Sequence, residues 1–237
     1  MKVFKLIFLI VVIACQSSYA QDNARVKVDT SFSDPKYRED QFYVSITYNL
    51  LGNKASEISQ SGFSSGFHAG YIRDMPINTR RNIAIGVGIG LSANSYNQNM
   101  KISEDLDNNV SYSIISEDVT PYTKNKFSTY ILEFPLEFRW RTSTEKIYDF
   151  WRVYGGLKFG YIFYNSAKYR GEPNDEFVSN IKDFNNLQYG LSLGAGYDTI
   201  NVYLYYGLNT LFDSNATLDG GSIDMSAIKI GLIFYIL

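Results

Sequence analysis

Cysteine and histidine are almost missing from this chain, at one of each in 237 residues. A single thiol forms no internal disulfide, and one thiol with one imidazole cannot build the usual zinc site. No metal or other cofactor is expected. An excess of either charge is equally lacking: 22 Lys and Arg stand against 24 Asp and Glu, for a formal charge of -2 and a pI near 5.5. Proteins that bind nucleic acid displace counterions with a basic surface, so no nucleic-acid partner is expected. Proline is held to 5 residues, and no apolar run reaches the ~20 residues a membrane-crossing helix needs. What the chain has instead is 18 Gly, 20 Tyr and an aromatic content of 16%.

Residues 1–20 read as a secretory signal peptide. Lys2 and Lys5 give a positive start, Leu6 to Ala14 is unbroken apolar sequence, and Ser18-Tyr19-Ala20 sets small residues before a cut ahead of Gln21. Two rival readings concern the same stretch. The apolar run could be kept as an anchor, although it is about half the length of a spanning helix. Cys15, after Val12-Ile13-Ala14, could instead be acylated as in a lipoprotein. Residues 21–40 show no sustained period and read as a polar periplasmic lead-in.

From residue 41 to 237 the period is two. Between Gln41 and Leu51, Phe42, Val44, Ile46, Tyr48 and Leu50 fall on one face and Tyr43, Ser45, Thr47 and Asn49 on the other. Between Asn82 and Ser95, Ile83, Ile85, Val87, Ile89 and Leu91 oppose Ala84, Gly86, Gly88, Gly90, Ser92 and Asn94. Such alternation belongs to strands and not to helices. It recurs over Phe127 to Arg141 and Phe150 to Asn165, and more weakly over Gly62 to Ile72, Leu187 to Tyr197, Asn201 to Phe212 and Asp224 to Leu237. Eight strands are predicted.

The connections alternate long and short, as they do when the odd ones gather at one end of an up-and-down barrel and the even ones at the other. One face of the strands carries Ile, Leu, Val, Phe and Trp in continuous ladders, and the other carries Gly, Ser, Glu, Arg and Lys. A soluble ligand-binding barrel would turn the first set inward, but the second set makes a poor outer coat around a dry cavity. The expectation is therefore an all-β fold, an eight-stranded antiparallel up-and-down transmembrane β-barrel with its apolar face toward lipid. Aromatic residues near strand ends, at Phe42, Tyr71, Tyr96, Trp140, Phe150, Trp151, Tyr197 and Phe212, are expected at headgroup level.

Three segments carry a family resemblance: Tyr37-Arg38-Glu39-Asp40-Gln41-Phe42-Tyr43, then Ser61-Gly62-Phe63-Ser64-Ser65-Gly66-Phe67-His68-Ala69-Gly70, then Leu132-Glu133-Phe134-Pro135-Leu136-Glu137-Phe138. They are similar to the PorT-like outer-membrane β-barrel family, whose members often carry a porin label. Later strands such as Tyr206-Gly207-Leu208 fit it too, so that the similarity covers most of residues 37 to 237. It implies a barrel in the outer membrane of a Gram-negative-type bacterium. The family's namesake takes part in protein secretion, and no catalytic motif runs through the family.

Candidate chemistry is sparse. His68 is the one imidazole, and a barrel hydrolase would be built on it. Ser64 shares its face but sits four positions away, roughly 13 Å in an extended chain, so any catalytic partner must come from another strand. Gly86-Val87-Gly88-Ile89-Gly90 lacks the spacing and following helix of a nucleotide loop and reads as strand. Asp105, Asp107 and Asn109 resemble half of a calcium loop but lack its turn glycine and closing glutamate. Asn109-Val110-Ser111 and Asn215-Ala216-Thr217 match glycosylation acceptors by coincidence for a bacterial envelope protein. By parity Glu133, Glu137, Arg139, Arg141, Arg152 and Lys158 all face the lumen of two neighbouring strands, where charge persists when paired. They are expected to form a structural network. The expected function is non-enzymatic: an envelope or secretion-accessory component acting through its extracellular loops. Its partners would be membrane lipids, lipopolysaccharide and an envelope or secretion protein. The alternatives are a narrow channel for ions or small solutes and a hydrolase using His68.

Overall fold

The computed structural model describes residues 40–116, 121–142 and 151–236, all within the unit Lys36–Leu237. The expected signal peptide, Cys15, almost all of the lead-in and Phe150 lie outside the described residues. Thirteen strands follow in order: β1 (Gln41–Gly52), β2 (Ser65–Pro76), β3 (Ile83–Asn97), β4 (Met100–Glu104), β5 (Val110–Ile114), β6 (Tyr122–Arg141) and β7 (Trp151–Gly171). They continue with β8 (Glu176–Ser179), β9 (Leu187–Tyr197), β10 (Ile200–Thr210), β11 (Thr217–Leu218), β12 (Gly221–Ser222) and β13 (Ser226–Ile236).

Eight of these close on themselves. The order β6-β3-β2-β1-β13-β10-β9-β7 is completed by direct pairing of β6 with β7, and every ladder is antiparallel. They are the eight strands expected from the alternation, in up-and-down order. The long connections between β1 and β2, β3 and β6, β7 and β9, and β10 and β13 all fall at one end. The opposite end holds the connections of β2 to β3, β6 to β7 and β9 to β10.

Burial follows the period strictly along β1, where Gln41, Tyr43, Ser45, Thr47 and Asn49 are buried and Phe42, Val44, Ile46 and Tyr48 are exposed. The protein is thus inverted relative to a soluble barrel, with polar residues and tyrosines inside and aliphatic side chains outside. Interior space is short enough to dictate residue size. A Cβ on Gly70 would meet the Ile89 carbonyl oxygen at 2.5 Å and the Tyr43 ring at 2.7 Å, and one on Gly90 would overlap the Tyr43 hydroxyl. The Tyr43 ring fills the lumen only because those two neighbours have no side chain.

Beyond the barrel proper, β6 and β7 run on together to Tyr122 and Gly171, further than the alternation suggested, across a register shift at Tyr130/Ile131. The upper part of β7 also pairs with β8. The longest connection holds the β4–β5 hairpin and the last one the small β11–β12 hairpin. Two of the expected interfacial aromatics differ from the reading above. Tyr96 and Phe212 are both 1% exposed. They sit where the strands rise past the apolar belt, so parity turns them into the core under the loops and not toward headgroups.

The outward row of β3 tests the assignment of faces. Arg73 is exposed opposite Val87, which places that level toward the short-turn boundary, and Ile89 and Leu91 lie deeper in the belt. Ile89→Arg is expected to destabilise folding in bilayers by ~2 to 4 kcal/mol, whereas Ser95→Arg, near the strand end, should cost roughly 0 to 1 kcal/mol. Denaturant titrations in vesicles provide the comparison, and equal costs would contradict the assigned depth.

Candidate functional site

Among the described residues, buried charged side chains converge in the lumen. Gln41 on β1, Asp74 on β2, Arg139 and Arg141 on β6 and Arg152 on β7 fill its short-turn end, all buried. Asp74 holds both arginines of β6: Arg139 Nη1 lies 3.0 Å from its Oδ1, and Arg141 reaches both carboxylate oxygens at 2.9 Å. Arg139 also donates to Gln41 Oε1 and lies 3.6 Å from Glu137 through Nε. Its guanidinium stacks 4.0 Å from the centre of the Tyr154 ring, while that of Arg152 lies 5.6 Å from Tyr235.

One layer higher, Glu133 is shared. Its Oε2 accepts from Lys158 at 3.0 Å and its Oε1 from His68 Nδ1 at 2.9 Å. The Lys158 ammonium lies 4.9 Å from the Tyr203 ring centre, and Lys229 on β13 lies 5.1 Å from that of Tyr205. The cavity left among Ile131, Glu133, Lys158, Gln188, Tyr205 and Lys229 is about 10 Å³, room for one water at most.

All six residues singled out in the sequence are buried in the lumen, where Arg139 lies 3.6 Å from Glu137. Glu133 with Lys158 is a close pair between β6 and β7, whereas Arg141 and Arg152 stand directly opposite each other with the same sign. The missing anion is Asp74. It reaches across β3, where Gly86 leaves the space: a Cβ there would come 2.7 Å from Arg139 Cδ. The weak alternation read on the second strand ended at Ile72, two residues short of Asp74, so its parity was never assigned. Lys229 fell inside the last strand as read, Asp224 to Leu237, but the weak alternation there left its face unassigned.

His68 has the partner from another strand that a catalytic reading requires. Its Nε2 lies 3.3 Å from Thr47 Oγ1, giving a hydroxyl, an imidazole and a carboxylate in sequence. The Thr47 hydroxyl, however, donates to Asn49 Oδ1 at 2.8 Å, and Thr47, His68 and Glu133 are each 1 to 2% exposed. A nucleophile needs its proton free for the base and space for a substrate carbonyl beside it. Ser64 takes no part, since its hydroxyl accepts from the Asn97 amide at 2.9 Å.

Above this layer the lumen becomes aromatic. Tyr96 stacks on Phe127 at 4.9 Å, Phe127 meets Phe184 and Phe212 at 5.7 and 5.6 Å, and Phe184 lies 4.4 Å from Phe212. Ile58, Met100, Ile102, Leu211 and Met225 complete a core drawn from all four long connections.

Residues 19–213 match the outer membrane protein beta-barrel domain. The chain belongs to that family. The match takes in every barrel strand except β13, whose pairing with β1 and β10 closes the ring. A solved structure, that of Ail, the attachment invasion locus protein of Yersinia pestis, aligns with 84% of this chain and 99% of its own at 15% identity and a TM-score of 0.32. No curated protein matches the chain. The protein is an outer-membrane β-barrel, so the long-loop end is extracellular and the short-turn end periplasmic.

The extracellular loops are tied to one another by polar contacts over the aromatic core. The Tyr112 hydroxyl donates to Asp183 at 2.9 Å; burial, reinforced by that carboxylate, pushes the phenol up from its ordinary value. Lys101 reaches Glu176 at 2.7 Å and lies 4.3 Å from the Tyr169 ring centre. The Asp105 carboxylate accepts from the Asn109 side chain and from the amides of Asn109 and Asp107, which hold it below its usual range and close the would-be calcium loop on itself. Among the described residues no group of three or more His, Cys, Asp or Glu is placed to hold a metal ion. Between β4–β5 and the loops that follow β8 and β10 lies a polar cleft of about 440 Å³, lined by Glu104, Asn108, Asn109, Asn180, Lys182 and Asp183.

Two predictions follow from these contacts. Asp74→Asn leaves two buried arginines facing half a partner and should destabilise the barrel by ~3 to 5 kcal/mol, measured by urea unfolding in vesicles. Asp74→Asn with Arg139→Met should recover part of the loss. For the loops, burial raises the Glu176 carboxyl, but hydrogen bonds from Lys101 and Ser103 with the Lys101 charge win, and it sits below its ordinary value. A depressed carboxylate stabilises above its unfolded pKa of about 4.3, and that contribution disappears as pH falls through the folded value. Protease resistance of the loops should hold from neutral pH to about 5 and fall in stronger acid, with Glu176→Gln showing less of that change.

Proposed function

We propose that this protein is a non-enzymatic outer-membrane component that works through its extracellular loops, as an envelope or secretion-accessory barrel of the PorT-like kind. The observation that carries this reading is that the four long connections fold into one capped platform over a filled lumen. Ordering a loop costs conformational entropy, and here burial of Phe184, Phe212, Met100, Leu211 and Met225 offsets it. A surface held in this way is suited to recognition. The Asn-rich cleft of about 440 Å³ offers amide donors and acceptors together with the charges of Glu104, Lys182 and Asp183.

The lumen supports neither alternative. Side chains occupy it at the Asp74 layer, the Glu133 layer and the aromatic layer, which argues against a continuous wet path for an ion. The reading as a hydrolase is weakened by the near-complete burial of His68 and by the commitment of the Thr47 hydroxyl to Asn49.

The test replaces residues 100–114 with a short turn in a strain that lacks the native copy. The barrel should still show heat-modifiable migration, while the envelope or secretion defect of the deletion strain persists. Full complementation by the shortened chain, steady single-channel currents from the native one, or a hydrolase activity lost in His68→Ala would each overturn the proposal.

A further inference from the structure

The outer wall formed by β3, β6 and β7 changes chemistry in register as it rises toward the extracellular end. Ala93, Tyr130 and Tyr164 lie side by side across the three strands, and two residues higher the row is Ser95, Ser128 and Ser166. Two residues higher again it is Asn97, Lys126 and Lys168, and Lys124 stands beside Arg170 above that. Successive rows are ~7 Å apart by strand geometry. These side chains face outward, since Asn94, Tyr96, Asn125, Phe127, Thr129, Ala167 and Tyr169 take the buried positions between them.

Left alone, this arrangement is unfavourable, because like charges directly opposite on neighbouring strands repel. Lys126 with Lys168 and Lys124 with Arg170 are both such pairs. Among the described residues acidic relief is slight. Asp175 stands 3.8 Å from Arg170 with both side chains at least half exposed, and Glu176 is committed to Lys101. Among the described residues Lys124, Lys126 and Lys168 have no acidic partner, and Lys126 donates only to Ser95 Oγ at 3.3 Å. Below the rows, on the lipid-facing wall, lies an apolar groove of about 310 Å³ among Phe67, Ala69, Leu91, Ala93, Tyr130 and Phe163. Small Ala69 and Ala93 form its floor between the rings.

We propose that this strip binds a phosphorylated glycolipid of the outer leaflet. One acyl chain would lie in the groove, the three serine hydroxyls would meet the ester and sugar oxygens, and the phosphate would sit between Lys126 and Lys168 with Lys124 and Arg170 behind it. The layering favours a lipid over a soluble polyanion. A polyanion would use the cations but has no need of a hydroxyl row and an apolar groove beneath them. The inference rests on the outer-membrane location and not on the loop function proposed above.

Protein recovered from outer membranes and exchanged into phosphatidylcholine nanodiscs, with a minor fraction of bis-phosphorylated lipid A, would be examined by native mass spectrometry for retained lipid. Native protein should keep the phosphorylated glycolipid in preference to phosphatidylcholine and to its dephosphorylated counterpart. The double variant Lys126→Gln with Lys168→Gln should weaken retention by about thirtyfold, the effect of two lysines near an anionic surface. Arg80→Gln, in the connection of β2 to β3 at the opposite end, should leave it unchanged, and Ala93→Phe should reduce it with every charge intact. Equal retention of phosphorylated and dephosphorylated lipid, or no loss in the double variant, would overturn the proposal. So would displacement by millimolar inorganic phosphate, or heparin binding without lipid preference, since either would assign the cations to a soluble anion.

Discussion

Inside hydrocarbon an unpaired amide has no water to turn to, so a sheet that crosses a bilayer must leave no edge there. The ladder of β1 with β13, from Phe42↔Ile236 to Gly52↔Ser226, meets that demand. Much else in the chain follows from closing with only eight strands. The ring is just wide enough for side chains to fill, and they are then packed as in a solid core. Large residues need bare neighbours. Tyr43 faces Gly70 and Gly90, and Tyr205 occupies the place where a Cβ on Gly190 would lie 2.6 Å from its ring.

Closure also explains the buried charges. With the outward parity given to lipid, the inward parity holds most polar side chains of the span, and its charges must find partners there. Asp74 does so for two guanidiniums and Glu133 for an ammonium and an imidazole. Asp74 sits on β2 and its arginines on β6, with β3 between them. The contact therefore depends on glycine in the intervening strand, and the run Gly86-Val87-Gly88-Ile89-Gly90 is a clearance for its neighbours as much as a strand. Such pairs add little net stability over apolar packing, but they penalise a wrong register severely, because a one-residue slip would expose arginine to lipid.

Strand number, order and facing were legible in the sequence because lipid enforces the alternation on one side regardless of what the other side does. The second and last strands were read less sharply. Their inner faces mix Gly, Ala, Ile and Tyr with Asp74 and Lys229, so polarity no longer tracks parity, and Asp74 was lost with it. The loop platform was not legible at all. Met100, Ile102, Phe184 and Phe212 lie far apart in the chain and meet only because the strands bring four connections to one end. Short hairpins such as β4–β5 carry too few residues for a period to show. Tyr96 and Phe212 were assigned to headgroups because nothing local marks the height at which a strand leaves the membrane.

The three layers that fill the lumen hang on different supports, and that bears on where the protein can act. The Asp74 clamp joins β2 to β6, the Glu133 layer joins β2, β6 and β7, and the aromatic layer joins β3 and β6 to the loops. A plug formed by a separate domain can move aside as a unit at the cost of one interface. Here each layer is made of side chains from strands whose backbones are fixed by closure, so opening the lumen would require three unrelated contacts to break together. Breaking the lowest would leave arginine and aspartate unpaired in a dry interior. The surfaces that can exchange partners without that cost are the loop platform and the outer wall, where the cleft presents amides and charges and the lysines stand above the serine row.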